Sequence, residues 1–187
     1  AYSYNDNNFA TDSTEYGSFE NMATYFGLEP RVGLTYAFTP SISVKSSYHR
    51  MYQYNHLLTN STATSPTDLW VASSAIIKPQ YSDQYSLGYF QNFFNDQLEI
   101  SLEGYYKDLY NVVDYENGAD VFLNEDVESQ LAFGSGRAYG GELLIRKKKG
   151  KLTGWVSYTL SRTERLIDGI NKGEYFPARQ DRTHDIA

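Results

Sequence analysis

The sequence contains no cysteine. That absence removes disulfide scaffolds, thiolate metal centres and cysteine nucleophiles together. Cations are in deficit, with 16 Lys+Arg against 23 Asp+Glu, a formal net charge of −7 and a pI near 4.9. An acidic chain of this kind argues against nucleic acid as the partner. Long apolar runs are missing too: no stretch approaches the roughly 18 residues that a spanning helix needs, so a helical membrane protein is excluded. A mean hydropathy of −0.55 leaves a membrane β-barrel open, because alternating strands average to a polar value. Residues 1–8 lack the basic start and apolar core of a signal peptide. The chain reads as processed, or as a piece of something longer.

What is abundant is Tyr (18), Gly (14) and Phe (10) within 187 residues, a strand-favouring composition on a length that suits one domain or part of a larger one. Alternation of period two is the dominant pattern. Val32, Leu34, Tyr36 and Phe38 share one face, with Arg31, Gly33, Thr35 and Ala37 on the other. After the turn Thr39-Pro40-Ser41, Ile42, Val44 and Tyr48 oppose Ser43, Lys45, Ser47 and His49. The same arrangement recurs around Phe94-Asn95-Asp96 and around Lys148-Lys149-Gly150. These patterns predict hairpins over about 30–52, 81–113 and 137–163, separated by long loops over about 53–80, 114–136 and 164–182. Residues 1–29 read as one more strand and a loop.

Short turns at one end and long loops at the other are the organisation of outer-membrane barrels. A soluble all-β sandwich would alternate as well, but its apolar faces would be dominated by Leu, Ile, Val and Phe. Here those faces carry Tyr36, Tyr48, Tyr85, Tyr89, Tyr106 and Tyr158, which suits an interfacial aromatic girdle. A small closed barrel serving as an adhesin or anchor would fit the length, yet a strand cut short at Ala187 cannot close one. The expectation is an all-β, antiparallel transmembrane barrel segment occupying residues 1–187.

Residues 28–36 (LEPRVGLTY), 78–89 (KPQYSDQYSLGY), 134–142 (GSGRAYGGE), 154–161 (GWVSYTLS), then Phe176-Pro177 and 181–185 (DRTHD) follow one another in order. This ordered set resembles the barrel of TonB-dependent outer-membrane receptors. The resemblance implies roughly six to eight strands of a barrel of about 22, located in the outer membrane of a Gram-negative bacterium. It implies a plug domain and further barrel strands, which this sequence does not contain. The implied function is receptor-mediated uptake of a scarce nutrient such as a siderophore, vitamin, oligosaccharide or peptide, energised by the TonB complex. Implied partners are outer-membrane lipid, the plug, the TonB complex through the parent protein, a surface lipoprotein and the nutrient itself.

No catalytic signature and no cofactor motif are present, so an enzyme is not expected. His49, His56 and His184 lack metal-site spacing. Asp120, Glu125, Asp126 and Glu128 lack a calcium-loop pattern and read as a solvated acidic loop. The basic run at 146–151 suits a periplasmic turn beside anionic headgroups, and Asn60-Ser61-Thr62 reads as a chance glycosylation triplet. The first long loop is the candidate ligand surface. It places Tyr52, Tyr54, Trp70 and Tyr81 with His56 and Asp68 at the extracellular mouth, where aromatic faces can stack on sugars or aromatic chelators.

Overall fold

A computed structural model of the chain describes residues 2–5, 13–16, 23–58, 68–116 and 130–187. Among the described residues, twelve strands follow in chain order: β1 (Tyr2–Asn5), β2 (Ser13–Tyr16), β3 (Arg31–Thr39), β4 (Ile42–Gln53), β5 (Asn55–Leu58), β6 (Leu69–Ala72), β7 (Gln80–Phe93), β8 (Leu98–Tyr115), β9 (Leu131–Lys147), β10 (Gly154–Ile167), β11 (Phe176–Pro177) and β12 (His184–Ile186). One antiparallel sheet runs in the order β3-β4-β7-β8-β9-β10, and both β11 and β12 pair along β10. Two small hairpins, β1-β2 and β5-β6, are not hydrogen-bonded into it, although Leu58 of β5 packs against β8 and β9. The sheet is open: β3 forms one edge and β11 with β12 the other, so this stretch of wall does not close on itself.

The hairpins form where alternation predicts them, but their upper limits differ. β8 runs to Tyr115 and β9 starts at Leu131, so the second pair of strands rises well into the stretch 114–136 expected to be loop. Burial explains this. Tyr115 and Leu131 pack with Leu58 and Ile77, while Val112 and Ala132 pack with Ile167 on a second cluster. Apolar side chains above the expected strand end thus keep the ladder paired. The first long loop carries its own hairpin, β5-β6, and residues 1–29 contain two short strands paired with each other rather than one. The expectations for Asn60-Ser61-Thr62 and for the acidic residues 120–128 fall outside the described residues.

The turns at the other end are short for local reasons. Phe94, Asn95 and Asp96 adopt three successive left-handed conformations, closed by the Gln97 N–H donating to Phe93 O at 3.1 Å. The third turn uses Gly150 at φ 118, a value only glycine adopts without strain, and Lys148 pairs with Glu99 at 2.8 Å.

Register aligns the side chains of the main sheet in horizontal rows. One row joins Tyr36, Val44, Tyr89, Leu102, Leu143 and Tyr158. Two rows higher stand Val32, Tyr48, Tyr85, Tyr106 and Tyr139. This face is left open, with Val32 64%, Leu34 68% and Tyr36 62% exposed. A soluble sandwich would cover it with a second sheet. From the lowest apolar row, Phe93 and Leu98, to the tyrosine row at Tyr48 is eight residues of strand. At about 3.4 Å per residue and a tilt near 40° that is roughly 21 Å of height, close to the outward apolar band of about 25 Å in membrane barrels.

The opposite face is polar and small. Ser47 and Ser86 share a hydrogen bond at 2.6 Å, and the Lys45 ammonium lies 4.4 Å from the centre of the Phe90 ring. The same ring covers Gly88, where an added Cβ would meet it at 2.8 Å. Gly140 is covered in the same way by the Tyr105 hydroxyl. Aromatic rings laid over strand glycines restore the packing that glycine forfeits.

Candidate functional site

Above the tyrosine row the open face changes character. Two residues up each strand come Arg50, Asp83, Asp108, Arg137 and Glu164. Arg50 donates to both Asp83 oxygens at 2.8 and 2.7 Å, and Tyr48 donates to Oδ1 of the same carboxylate at 2.8 Å. Arg137 pairs with Glu164 at 2.8 Å while its guanidinium lies 4.0 Å from the Tyr175 ring centre. Such charges belong at headgroup level or above, since in hydrocarbon they cost several kcal/mol each. Two residues higher again stand Tyr52, Tyr81 and Tyr110.

Three of the six candidate residues of the first loop meet here. Tyr54, Tyr52, Tyr81 and Tyr110 form a continuous stack with centroid separations of 6.3, 5.4 and 4.5 Å. Tyr52 is held from two sides: its backbone N–H donates to Glu29 Oε1 at 2.9 Å, and its ring lies where a Cβ on Gly27 would be. Tyr52, Tyr54 and Tyr81 of this stack, with Tyr25, Phe26 and Lys78, border an open cleft of about 160 Å³.

The other three candidates are dispersed. His56 is 3% exposed and its Nε2 lies 3.1 Å from Ser73 Oγ; burial pushes its imidazole below the usual histidine range. Asp68 is half-buried just before β6, near enough for its charge to help raise the Tyr115 phenol, an effect led by burial of that phenol. Trp70 is 67% exposed and pairs across β5-β6 with exposed Leu57. Among the described residues of this loop, Trp70 is the most exposed large side chain.

A further constellation was not anticipated. Asp114 is buried at the top of β8, accepting from Arg165 at 2.8 Å, from Arg179 at 3.3 Å and from the Tyr115 N–H at 2.9 Å. Two guanidiniums thus converge on one carboxylate beside a cleft of about 160 Å³ bordered by Leu57 and Gln180. The pairing depends on a bulge at Asn111, which adopts φ 55 and donates from Nδ2 to Pro79 O at 2.9 Å. Sequence alternation carries Asp114 onto the face of Tyr110, whereas the bulge moves it to the other. The adjacent pair Val112-Val113, which breaks the alternation, is the signal that could have revealed it.

The family model described as "TonB dependent receptor-like, beta-barrel" matches residues 1–185. No curated protein and no solved structure gives a significant match.

Proposed function

Because this chain belongs to the TonB-dependent receptor-like β-barrel family, we propose that it forms part of the wall of an outer-membrane receptor importing a scarce nutrient with energy from the TonB complex. The supporting observation is the two-faced open sheet. An uncovered apolar face capped by a row of tyrosines backs onto a face of Ser, Lys, Gln and Gly suited to a wet lumen. The sheet's free edges join further strands of the receptor, and the plug and the TonB-contacting segment are supplied by the same parent protein. Nothing in this arrangement calls for catalysis.

At the mouth, the proposed contacts are Trp70 with Leu57, toward the nutrient or a surface lipoprotein, and the Arg165 and Arg179 pair toward an anionic group of the nutrient. Tyr52, Tyr54 and Tyr81 frame the outer rim of this mouth, while His56 and Asp68 hold the β5-β6 hairpin in place. Siderophores, vitamins, oligosaccharides and peptides all carry groups these contacts can take.

The test replaces residues 55–72 of the complete receptor with a Gly-Ser linker and follows nutrient-limited growth in strains with and without a functional TonB complex. The expected result is loss of TonB-dependent growth with the boiling-dependent gel shift of a folded barrel retained. Growth that does not depend on TonB would overturn the transport reading.

A further inference from the structure

The cleft at the top of β8 lies where segments distant in sequence converge: β5, the end of β8, the end of β10 and residues 179–180 all border it. One side of it is apolar and the other carries guanidiniums. Asp114 accepts from Arg165 Nη1 at 2.8 Å and from Arg179 Nη2 at 3.3 Å, which fixes both groups on that wall. Asp114 accepts from the Tyr115 N–H as well, so three donors offset its charge. Among the described residues Arg165 gives that one hydrogen bond, and its side chain is 26% exposed. Four of its five N–H donors are therefore left, in a planar fork that a second carboxylate can meet with two parallel hydrogen bonds.

We infer that this cleft seats a carboxylate carried on an apolar body of about six carbons. The inference rests on the uptake reading above and names the group of the nutrient that the mouth recognises. Volume sets the size: the cleft measures about 160 Å³, and a cavity of about 150 Å³ takes one benzene ring. Leu57, Leu58 and Val113 supply the apolar side, and exposed Gln180 offers an amide to a neighbouring polar group. The C-terminal Leu or Phe of a short peptide and the aryl carboxylate of a chelator share this chemistry. A neutral oligosaccharide lacks both halves of it. Because the two sides belong to separate segments, an occupant would join the β5-β6 hairpin to the end of β10.

The test uses the complete receptor in detergent and isothermal titration calorimetry with three probes: the tripeptide Ala-Ala-Phe, the same tripeptide with a C-terminal amide, and benzoate. The free acid should bind about tenfold more tightly than the amide, the size of one lost hydrogen bond to a charged group. Arg165→Met should lower the affinity for the acid to that for the amide and leave the amide unchanged, which a general loosening of the fold would not do. A tripeptide that binds more tightly than benzoate assigns the site to peptides; benzoate at least as tight assigns it to aryl carboxylates. Absence of binding, equal affinity for acid and amide in the parent, or an acid preference that survives Arg165→Met overturns the inference. If that variant loses its heat-dependent gel shift, Leu57→Glu, at an exposed position, should remove the acid preference by like-charge repulsion, and a preference that survives it is equally fatal. Loss of the acid preference with TonB-dependent growth intact bears on this inference alone, and TonB-independent growth with the acid preference intact bears on the transport reading alone.

Discussion

Replacing Asp114 with Ala should loosen the mouth of the barrel without unfolding its wall. The carboxylate accepts three hydrogen bonds, two of them from guanidiniums, and its side chain is 8% exposed while those of Arg165 and Arg179 are 26% and 35% exposed. Hydrogen bonds to charged groups contribute about 1.5–3 kcal/mol each. Solvent reaches both arginines, so each contribution is discounted by roughly half, which leaves about 2 kcal/mol for the pair. At about 1.4 kcal/mol per factor of ten, that is roughly a 30-fold increase in local opening. Hydrogen exchange read by mass spectrometry should show it in 164–167 and 176–180, the segments that Arg165 and Arg179 anchor, with 98–108 unchanged. Asp114→Asn, which keeps one acceptor oxygen, should fall between the two. Exchange in 164–180 identical to the parent protein would refute the idea that this carboxylate organises the mouth.

Lowering the pH should weaken the β5-β6 hairpin: burial depresses the folded His56 pKa, so the open hairpin binds more protons, and stability that is full above about 6.5 declines as pH falls through that value. Faster exchange of 55–58 and 69–72 at pH 5 than at pH 7.5, abolished by His56→Gln, is the expected reading; pH-independent exchange in the parent contradicts it. Gly140→Val should reduce the folded fraction, because its Cβ would meet Leu160 O at 2.7 Å and Ser161 Cβ at 3.0 Å within the ladder; overpacking of this kind costs about 1–3 kcal/mol, and a midpoint of urea unfolding equal to the parent's would count against it. Trp70→Ala should weaken binding of nutrient or lipoprotein by about tenfold, as for an exposed aromatic anchor, with the gel shift unaltered. An unchanged Kd for both would remove Trp70 from the contact surface.

The wall was legible because membrane strands alternate strictly: the faces of Val32, Leu34, Tyr36 and Phe38, of Ile42, Val44 and Tyr48, and of Tyr85, Leu87 and Tyr89 all follow from counting by two. The tight turns were legible for the same reason, since Thr39-Pro40-Ser41 and Lys148-Lys149-Gly150 interrupt the count with residues suited to turns. Above the tyrosine row that logic weakens. There the strands persist through burial of Tyr115, Leu131 and Ile167 by segments distant in sequence, which no local pattern reports. The burial of His56 beside Ser73 was not legible either, because it comes from pairing with Val71, a contact that only the folded hairpin defines.

The bulge at Asn111 gives β8 two independent phases. Below it, the count of residues is tied to the apolar band and to the two neighbouring strands, β7 and β9; above it, the count begins again, with Val112 and Asp114 facing where odd-numbered residues faced before. A strand without that slip would have to satisfy lipid and mouth with a single parity. With it, the residues that face each side above Asn111 are set independently of those below, so the upper segment and the lower wall each keep their own frame.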